Sequence, residues 1–157
     1  MNKSIIVINS TNRKNGNSEV LVNEFINGAK ENNNVEVINL RELNFGFCIG
    51  CLACQNTGKC VLNDDISKVI DKVKNADILV FATPIYYYAM SGQLKTFLDR
   101  MNPLYIADYK FKEAYLFTRR SNSSSVEDSI RVFICFISFS SSRMCFLALK
   151  ISSYSVL

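Results

Sequence analysis

Two runs without a polar side chain, Ile5-Ile6-Val7-Ile8 and Ile78-Leu79-Val80-Phe81-Ala82, constrain the fold of this chain most strongly. A strand with one wet face alternates apolar and polar residues. A run that is apolar on both faces and largely β-branched belongs in a sheet covered on both sides, usually a parallel one with helices above and below. The intervening segments supply such helices. Leu21, Val22, Phe25, Ile26 and Ala29 recur at helical spacing, with Ser18 placed to cap the first turn. Ile66, Val69, Ile70 and Val73 form a second apolar stripe, preceded by Asp64-Asp65 where the positive end of the helix dipole lies. Val35 to Leu40 and Ala114 to Phe117 read as further strands, and Gln93 to Arg100 as a short helix. The strand Ile78 to Ala82 is expected to stop at Thr83-Pro84, because a residue before proline is driven into extended geometry. Strands alternating with helices predict an α/β, doubly wound, mostly parallel sheet.

A chain of 157 residues, 48% of them apolar, suits one core. The pattern divides at Thr118, giving a doubly wound unit over residues 1–118 and an atypical segment over 119–157. The latter alternates serine-rich stretches, Ser121 to Ser125 and Ser138 to Ser142, with apolar fragments, and has no clean helical stripe. One reading makes it a pair of edge strands joined by serine loops. The other, which is favoured, makes it a segment not selected to complete the fold, such as one following a reading-frame change, because a doubly wound domain needs a helix over its last strand. The fragments Val132 to Ile137 and Met144 to Leu149 are too short and too interrupted to span a membrane. The net charge of +4 is not an acidic-ligand signature: residues 1–118 carry 13 Lys/Arg against 12 Asp/Glu, so no basic stripe points to nucleic acid. Met1-Asn2-Lys3 runs directly into the first strand without an h-region, and a cytoplasmic location is expected.

Chemistry concentrates in three loops. Ser10 to Ser18, between the first strand and first helix, holds Arg13, Asn15, Asn17 and several hydroxyls; such a loop can cradle an anion at a helix N-terminus. It contains neither the Walker nor the GxGxxG pattern, and an ordinary solvated loop is an equal alternative. Thr83 to Ser91 carries Tyr86-Tyr87-Tyr88, which cannot all be buried on one face and so leave ring surface for a planar ligand or a partner. CIGCLACQNTGKC places Cys48, Cys51, Cys54 and Cys60 in the spacing C-x2-C-x2-C-x5-C. In a reducing compartment this favours metal, cluster or thiol chemistry over disulfides. Zinc usually takes two pairs across a longer spacer, whereas successive x2 intervals are nearer the compact iron-sulfur run. Cluster, zinc, free thiols and a packed connection all stay open at this level. The absence of histidine from these 157 residues argues against Ser-His or Cys-His nucleophilic catalysis.

Taken together, Asn9-Ser10-Thr11-Asn12-Arg13 with Gly16-Asn17-Ser18, the cysteine loop followed by Asp64-Asp65, and Ala76 through Pro84-Ile85-Tyr86-Tyr87 to Lys95-Thr96-Phe97-Leu98-Asp99-Arg100 resemble the flavodoxin-like NAD(P)H-dependent FMN reductases, most closely the iron-sulfur flavoproteins. The resemblance covers residues 1 to about 118. It implies a flavodoxin-like fold with FMN at the strand ends, its phosphate on Ser10, Arg13, Asn17 and Ser18, with Asn15 shaping the loop. Pro84, Ile85, Tyr86 and Tyr87 would border the flavin ring, and Cys48, Cys51, Cys54 and Cys60 would hold a [4Fe-4S] cluster. Lys95, Asp99 and Arg100 match the family pattern and are read as structural, a helix-end ion pair being the commoner explanation of such charges. The resemblance also implies NAD(P)H or ferredoxin as electron donor, a flavin, quinone or other small acceptor, and a homo-oligomer. It further implies another strand, a covering helix and a flavin-enclosing loop after Thr118. Three functions follow: a flavin oxidoreductase, an FMN and cluster electron carrier without small-molecule turnover, or a C-terminally altered chain with impaired flavin binding.

Overall fold

The computed structural model describes residues 2–119, 132–138 and 150–154. In chain order the strands are β1 (Ser4–Asn9), β2 (Asn34–Asn39), β3 (Ile78–Tyr86), β4 (Ala89–Met90), β5 (Glu113–Arg119), β6 (Val132–Ser138) and β7 (Lys150–Tyr154). The helices are α1 (Asn17–Lys30), α2 (Ala53–Thr57), α3 (Asp65–Asn75) and α4 (Gly92–Asp99). The sheet order is β2-β1-β3-β5-β6-β7, with β4 folded back onto β3. β2, β1, β3 and β5 are mutually parallel, in registers such as Val7↔Val37, Val7↔Val80 and Val80↔Tyr115. This is the expected doubly wound half, with the chain reversing its direction of growth between β1 and β3.

Each strand's period of two sends alternate residues into two separate cores. Ile6, Ile8 and Leu79 pack with Ile66, Val69, Ile70 and Val73 of α3 and with Leu94 and Phe97 of α4. Ile5, Val7, Ile78 and Val80 pack on the opposite face with Val22 and Ile26 of α1 and Phe117 of β5. The apolar runs of β1 and β3 thus follow from helices covering both sides.

Several local expectations are corrected. Helix α1 begins at Asn17 with Gly16 as its N-cap and no side-chain cap, so Ser18 lies inside the first turn instead of capping it. Strand β3 runs through Pro84 to Tyr86, since the extended geometry that proline imposes on Thr83 is itself strand geometry. The small helix α2 falls inside the cysteine loop, bounded by two left-handed residues, Leu52 (φ 56°) and Gly58 (φ 69°).

The C-terminal strand layer is atypical, as expected. β6 runs antiparallel to β5 through Glu113↔Ser138 and Ala114↔Ile137, and β7 is antiparallel to β6. β6 lies between β5 and β7, and β7 is the outer strand of the sheet on that side. Whether a helix covers them concerns positions 120–131 and 139–149, outside the described residues.

Candidate functional site

The carboxyl ends of β1 and β3 bring two of the three loops together. A cleft of about 150 Å³ is lined by Thr11, Arg13, Gly16, Asn17, Ser18 and Glu19 from one loop and by Pro84, Ile85 and Tyr86 from the other. A larger hollow of about 320 Å³, lined by Ser4, Glu36, Asp71, Lys72 and Asn75, lies toward the opposite strand ends. Ligands of open α/β sheets bind outside the carboxyl ends near the reversal of strand order, so the smaller cleft is the candidate site.

The floor of the cleft is rigid because its polar groups are committed. Asn9 Oδ1 accepts from the Thr11 N–H (3.1 Å) and from Thr11 Oγ1 (2.8 Å), turning the chain sharply as it leaves β1. Ser10 is fully buried, and its hydroxyl donates to the Ala82 carbonyl at 2.9 Å. That hydroxyl proton therefore fastens β1 to β3 and does not point to a phosphate. Asn15 adopts a left-handed backbone (φ 56°) and donates its N–H to Glu19. At Gly16 an added Cβ would come within 3.2 Å of the Arg13 carbonyl oxygen, so the tight approach there favours glycine. Beyond it, the Asn17 and Ser18 N–H groups precede the first bond of the turn, from the Glu19 N–H to the Gly16 carbonyl (2.9 Å), and present the positive end of the helix dipole to the cleft.

Glu19 and Arg41 were not singled out from the sequence. Arg41, just after β2, donates through Nη2 to Glu19 Oε1 (2.8 Å) and through Nη1 to the Thr11 carbonyl (3.2 Å). The Arg41 hydrogen bond holds the Glu19 carboxyl below its ordinary value against the opposing effect of burial, with the Asn15 N–H assisting. Glu19 carried a local signal, an acid three residues after the cap position. Arg41 carried none.

The tyrosine loop is a two-residue hairpin closed by Tyr86↔Ala89 and Ile85↔Met90. Its tip residues Tyr87 (φ 45°) and Tyr88 (φ 64°) both lie in the left-handed region, where Asn-Gly would be the ordinary choice. Tyr87 is 96% exposed and Tyr88 86%, while Tyr86 turns halfway into the cleft. Thr83 Oγ1 accepts from the Ser91 N–H (3.0 Å), and Ser91 Oγ caps α4 at the Leu94 N–H (3.3 Å). The hairpin is thereby tied at its base.

Of the nine residues expected to contact FMN, Arg13, Asn17, Ser18, Pro84, Ile85 and Tyr86 line this cleft. Ser10 lies beneath it, Asn15 acts through its backbone, and Tyr87 stands at the hairpin tip. The residues present suit a phosphate-bearing planar ligand: donors and a helix N-terminus on one side, ring surface on the other. Thr118 Oγ1, buried at the carboxyl end of β5, has no hydrogen-bond partner among the described residues.

The cysteine loop is held at its neck around a buried guanidinium, with the Asn44 N–H donating to Asp65 (2.8 Å) and the Ser67 hydroxyl to the Leu62 carbonyl (2.7 Å) beside it. Arg100, whose side chain is fully buried, donates to Asp64 through Nη1 (2.6 Å) and Nη2 (2.9 Å), and to the carbonyls of Gly46 (2.9 Å) and Leu62 (3.4 Å). Asp64 also accepts from the Gly46 N–H (3.3 Å) and, as N-cap of α3, from the Ile66 N–H (3.2 Å). Burial raises the Asp64 carboxyl, but Arg100 and these N–H donors outweigh it and leave it below its ordinary value. Asp64 in turn holds the guanidinium charged, with the Cys60 sulfur contributing in the same sense. The helix-end reading is thus corrected for Arg100, whose partner is 36 residues away; Lys95 and Asp99 do form the expected pair along α4.

Inside the neck, Cys48, Cys51, Cys54 and Cys60 are all free thiols. Cys54 is buried and its Sγ accepts from Asn102 Nδ2 (3.3 Å), Cys60 is half-buried, and Cys48 and Cys51 are exposed. Four thiols are the right donor chemistry for a cluster. Among the described residues, however, no group of three or more Cys, Asp or Glu side chains is gathered closely enough to hold a metal ion.

The sequence model describing NADPH-dependent FMN reductases matches residues 4–131. The chain belongs to that family. An iron-sulfur flavoprotein of Methanocaldococcus jannaschii is 38% identical over 103 residues, covering 65% of this chain and 53% of the relative. An iron-sulfur flavoprotein of Clostridioides difficile is 36% identical over 104 residues, covering 61% and 44%. A putative NAD(P)H-dependent FMN-containing oxidoreductase of Bacillus subtilis is 36% identical over 96 residues, covering 61% and 50%. The chain thus spans about half the length of the curated relatives it matches. Among solved structures, an NAD(P)H:quinone oxidoreductase of Methanothermobacter marburgensis superposes with a TM-score of 0.63 at 16% identity, covering 75% of this chain and 65% of that one. At that identity the likeness bears on fold, and it supports the flavodoxin-like architecture of this family member. No helix among the described residues is long and apolar enough to cross a membrane.

Proposed function

We propose that residues 1–118 form an FMN-binding unit and that the chain acts as a flavin-dependent oxidoreductase, taking electrons from NAD(P)H or ferredoxin and passing them to a flavin, quinone or other small acceptor. The observation that carries this reading is the cleft joining Arg13, Asn17 and Ser18 to Pro84, Ile85 and Tyr86 at the reversal of strand order. Arg13 and the first turn of α1 would neutralise and hydrogen-bond the phosphate. Pro84, Ile85 and Tyr86, with Tyr87 closing from the hairpin tip, would lie against the ring and exclude water from it. Bound FMN would supply the hydride and electron chemistry, so no side chain need act as acid or base.

Cys48, Cys51, Cys54 and Cys60 are proposed as ligands of a [4Fe-4S] cluster. The reading is supported by four free thiols in compact spacing and by relatives that are iron-sulfur flavoproteins by name. Gathering them requires the loop inside the Arg100 neck to rearrange. A reducing compartment such as the cytoplasm suits these thiols. The exposed apolar side chains Phe47, Ile49, Leu52, Tyr87 and Tyr88 support assembly into a homo-oligomer.

The test is anaerobic purification followed by a visible spectrum and joint assay of FMN, iron and sulfide. Stoichiometric flavin with four irons per chain is the expected result; protein that stays colourless and takes up neither FMN nor iron would overturn the reading. Bleaching of the flavin by NADPH or NADH distinguishes a reductase from an electron carrier, which neither nicotinamide would reduce.

A further inference from the structure

We infer that Glu19 and Arg41 are positioning residues for the phosphate end of this site, holding the loop from Thr11 to Glu19 in its receiving shape from behind; the inference rests on the FMN reading above. One guanidinium spans the whole loop. Its two arms reach the Thr11 carbonyl, where the chain leaves the sheet, and the Glu19 carboxylate, in the first turn of α1. Between them Glu19 also accepts from the Asn15 N–H, the residue whose left-handed backbone turns the loop. Asparagine adopts that region more readily than other non-glycine residues, and the Glu19 bond adds a fixed acceptor for its N–H.

The pair also settles a charge problem. Glu19 lines a cleft suited to an anion, and an unpaired carboxylate there would repel a phosphate. Arg41, which is not among the residues lining the cleft, cancels that charge, leaving the helix dipole, Arg13 and Lys14 to set the local field. Neither residue is required to touch the ligand. Their effect should therefore fall on the phosphate and spare the ring, which borders the other loop.

Titrating the purified full chain with FMN and with riboflavin, which lacks the phosphate, separates this role from a general structural one. Arg41→Gln is expected to weaken FMN binding about tenfold and to leave riboflavin affinity within about twofold of wild type. Arg41→Lys keeps the charge and loses the two-armed span, so it should fall between. Adding Glu19→Gln to Arg41→Gln should restore part of the lost FMN affinity, since it removes the carboxylate charge that Arg41 no longer cancels. Should Arg41→Gln fail to fold, Arg41→Lys carries the same FMN-to-riboflavin comparison. Equal weakening of both ligands, or unchanged FMN affinity, overturns the inference while leaving the FMN reading intact. A wild-type chain that binds neither flavin overturns both.

Discussion

Replacing Asp64 by Asn would test whether the Arg100 neck behaves as a buried ion pair. Asn is nearly isosteric and is itself a good N-cap, so the bond to the Ile66 N–H, and with it the start of α3, should survive. The change instead removes the charge and sets an amide N–H₂ against one arm of the guanidinium. Breaking a buried pair from one side costs about 3 to 5 kcal/mol, because the other charge is left uncompensated. Arg100 has no exposed side-chain surface, but Asp64 is 20% exposed, which places the expectation at the lower end, about 3 kcal/mol. With a urea dependence of about 2 kcal/mol per molar, the midpoint should fall by about 1.5 M at unchanged slope. The pH dependence has a definite sign. Asp64 titrates below its ordinary value of 3.8 in the folded chain, so its stabilisation is complete above that value and disappears as pH falls through the folded pKa. The gap between wild type and Asp64→Asn should accordingly be widest near neutral pH and narrow below about pH 4. A loss under about 1 kcal/mol at pH 7 would mean that the pair behaves like a hydrated surface pair, and the neck reasoning would fail.

At the other charged motif residues the expectation is reversed: Asp99→Asn breaks only the half-exposed pair with Lys95 and should change stability by less than about 0.5 kcal/mol, less still in high salt. Ser91→Ala removes the cap of α4 and should lower stability by about 1 kcal/mol in a denaturant titration; no change would show that water replaces the hydroxyl. Replacing Tyr87-Tyr88 by Asn-Gly relieves two left-handed non-glycine residues and should raise the melting temperature, by about 1 to 2 kcal/mol of stability, while weakening flavin binding. A lowered melting temperature would show that the two rings contribute more through packing than their backbone costs.

The parallel half of the sheet was legible because burial on both faces leaves a direct mark, apolar runs in β1 and β3 and a clear stripe in α3. Smaller elements left no such mark. Helix α2 has five residues, too few for a period to show among closely spaced cysteines. Pro84 misled because proline stops a helix firmly but is tolerated near the end of a strand. The phosphate side of the site was readable as a loop composition, yet the direction of each donor was not: Ser10 gives its proton to Ala82, a partner 72 residues away. The same holds for Arg41 and Arg100, whose roles arise from contacts across 22 and 36 residues and have no local signature. The antiparallel sense of β6 was equally hidden, because an apolar strand pattern carries no direction.

The Arg100 neck is expected to separate two regimes of motion. Gly46 and Leu62 are bound to the same guanidinium as Asp64, so both ends of the chain between them are fixed at one point, and its middle is anchored again where buried Cys54 accepts from Asn102. In hydrogen-exchange experiments the amides at 47–61 should exchange through local fluctuations, while those of β1 and β3 wait for global unfolding. If the exchange divides in this way, the proposed regrouping of the sulfurs would be a local event, with the sheet as its fixed frame.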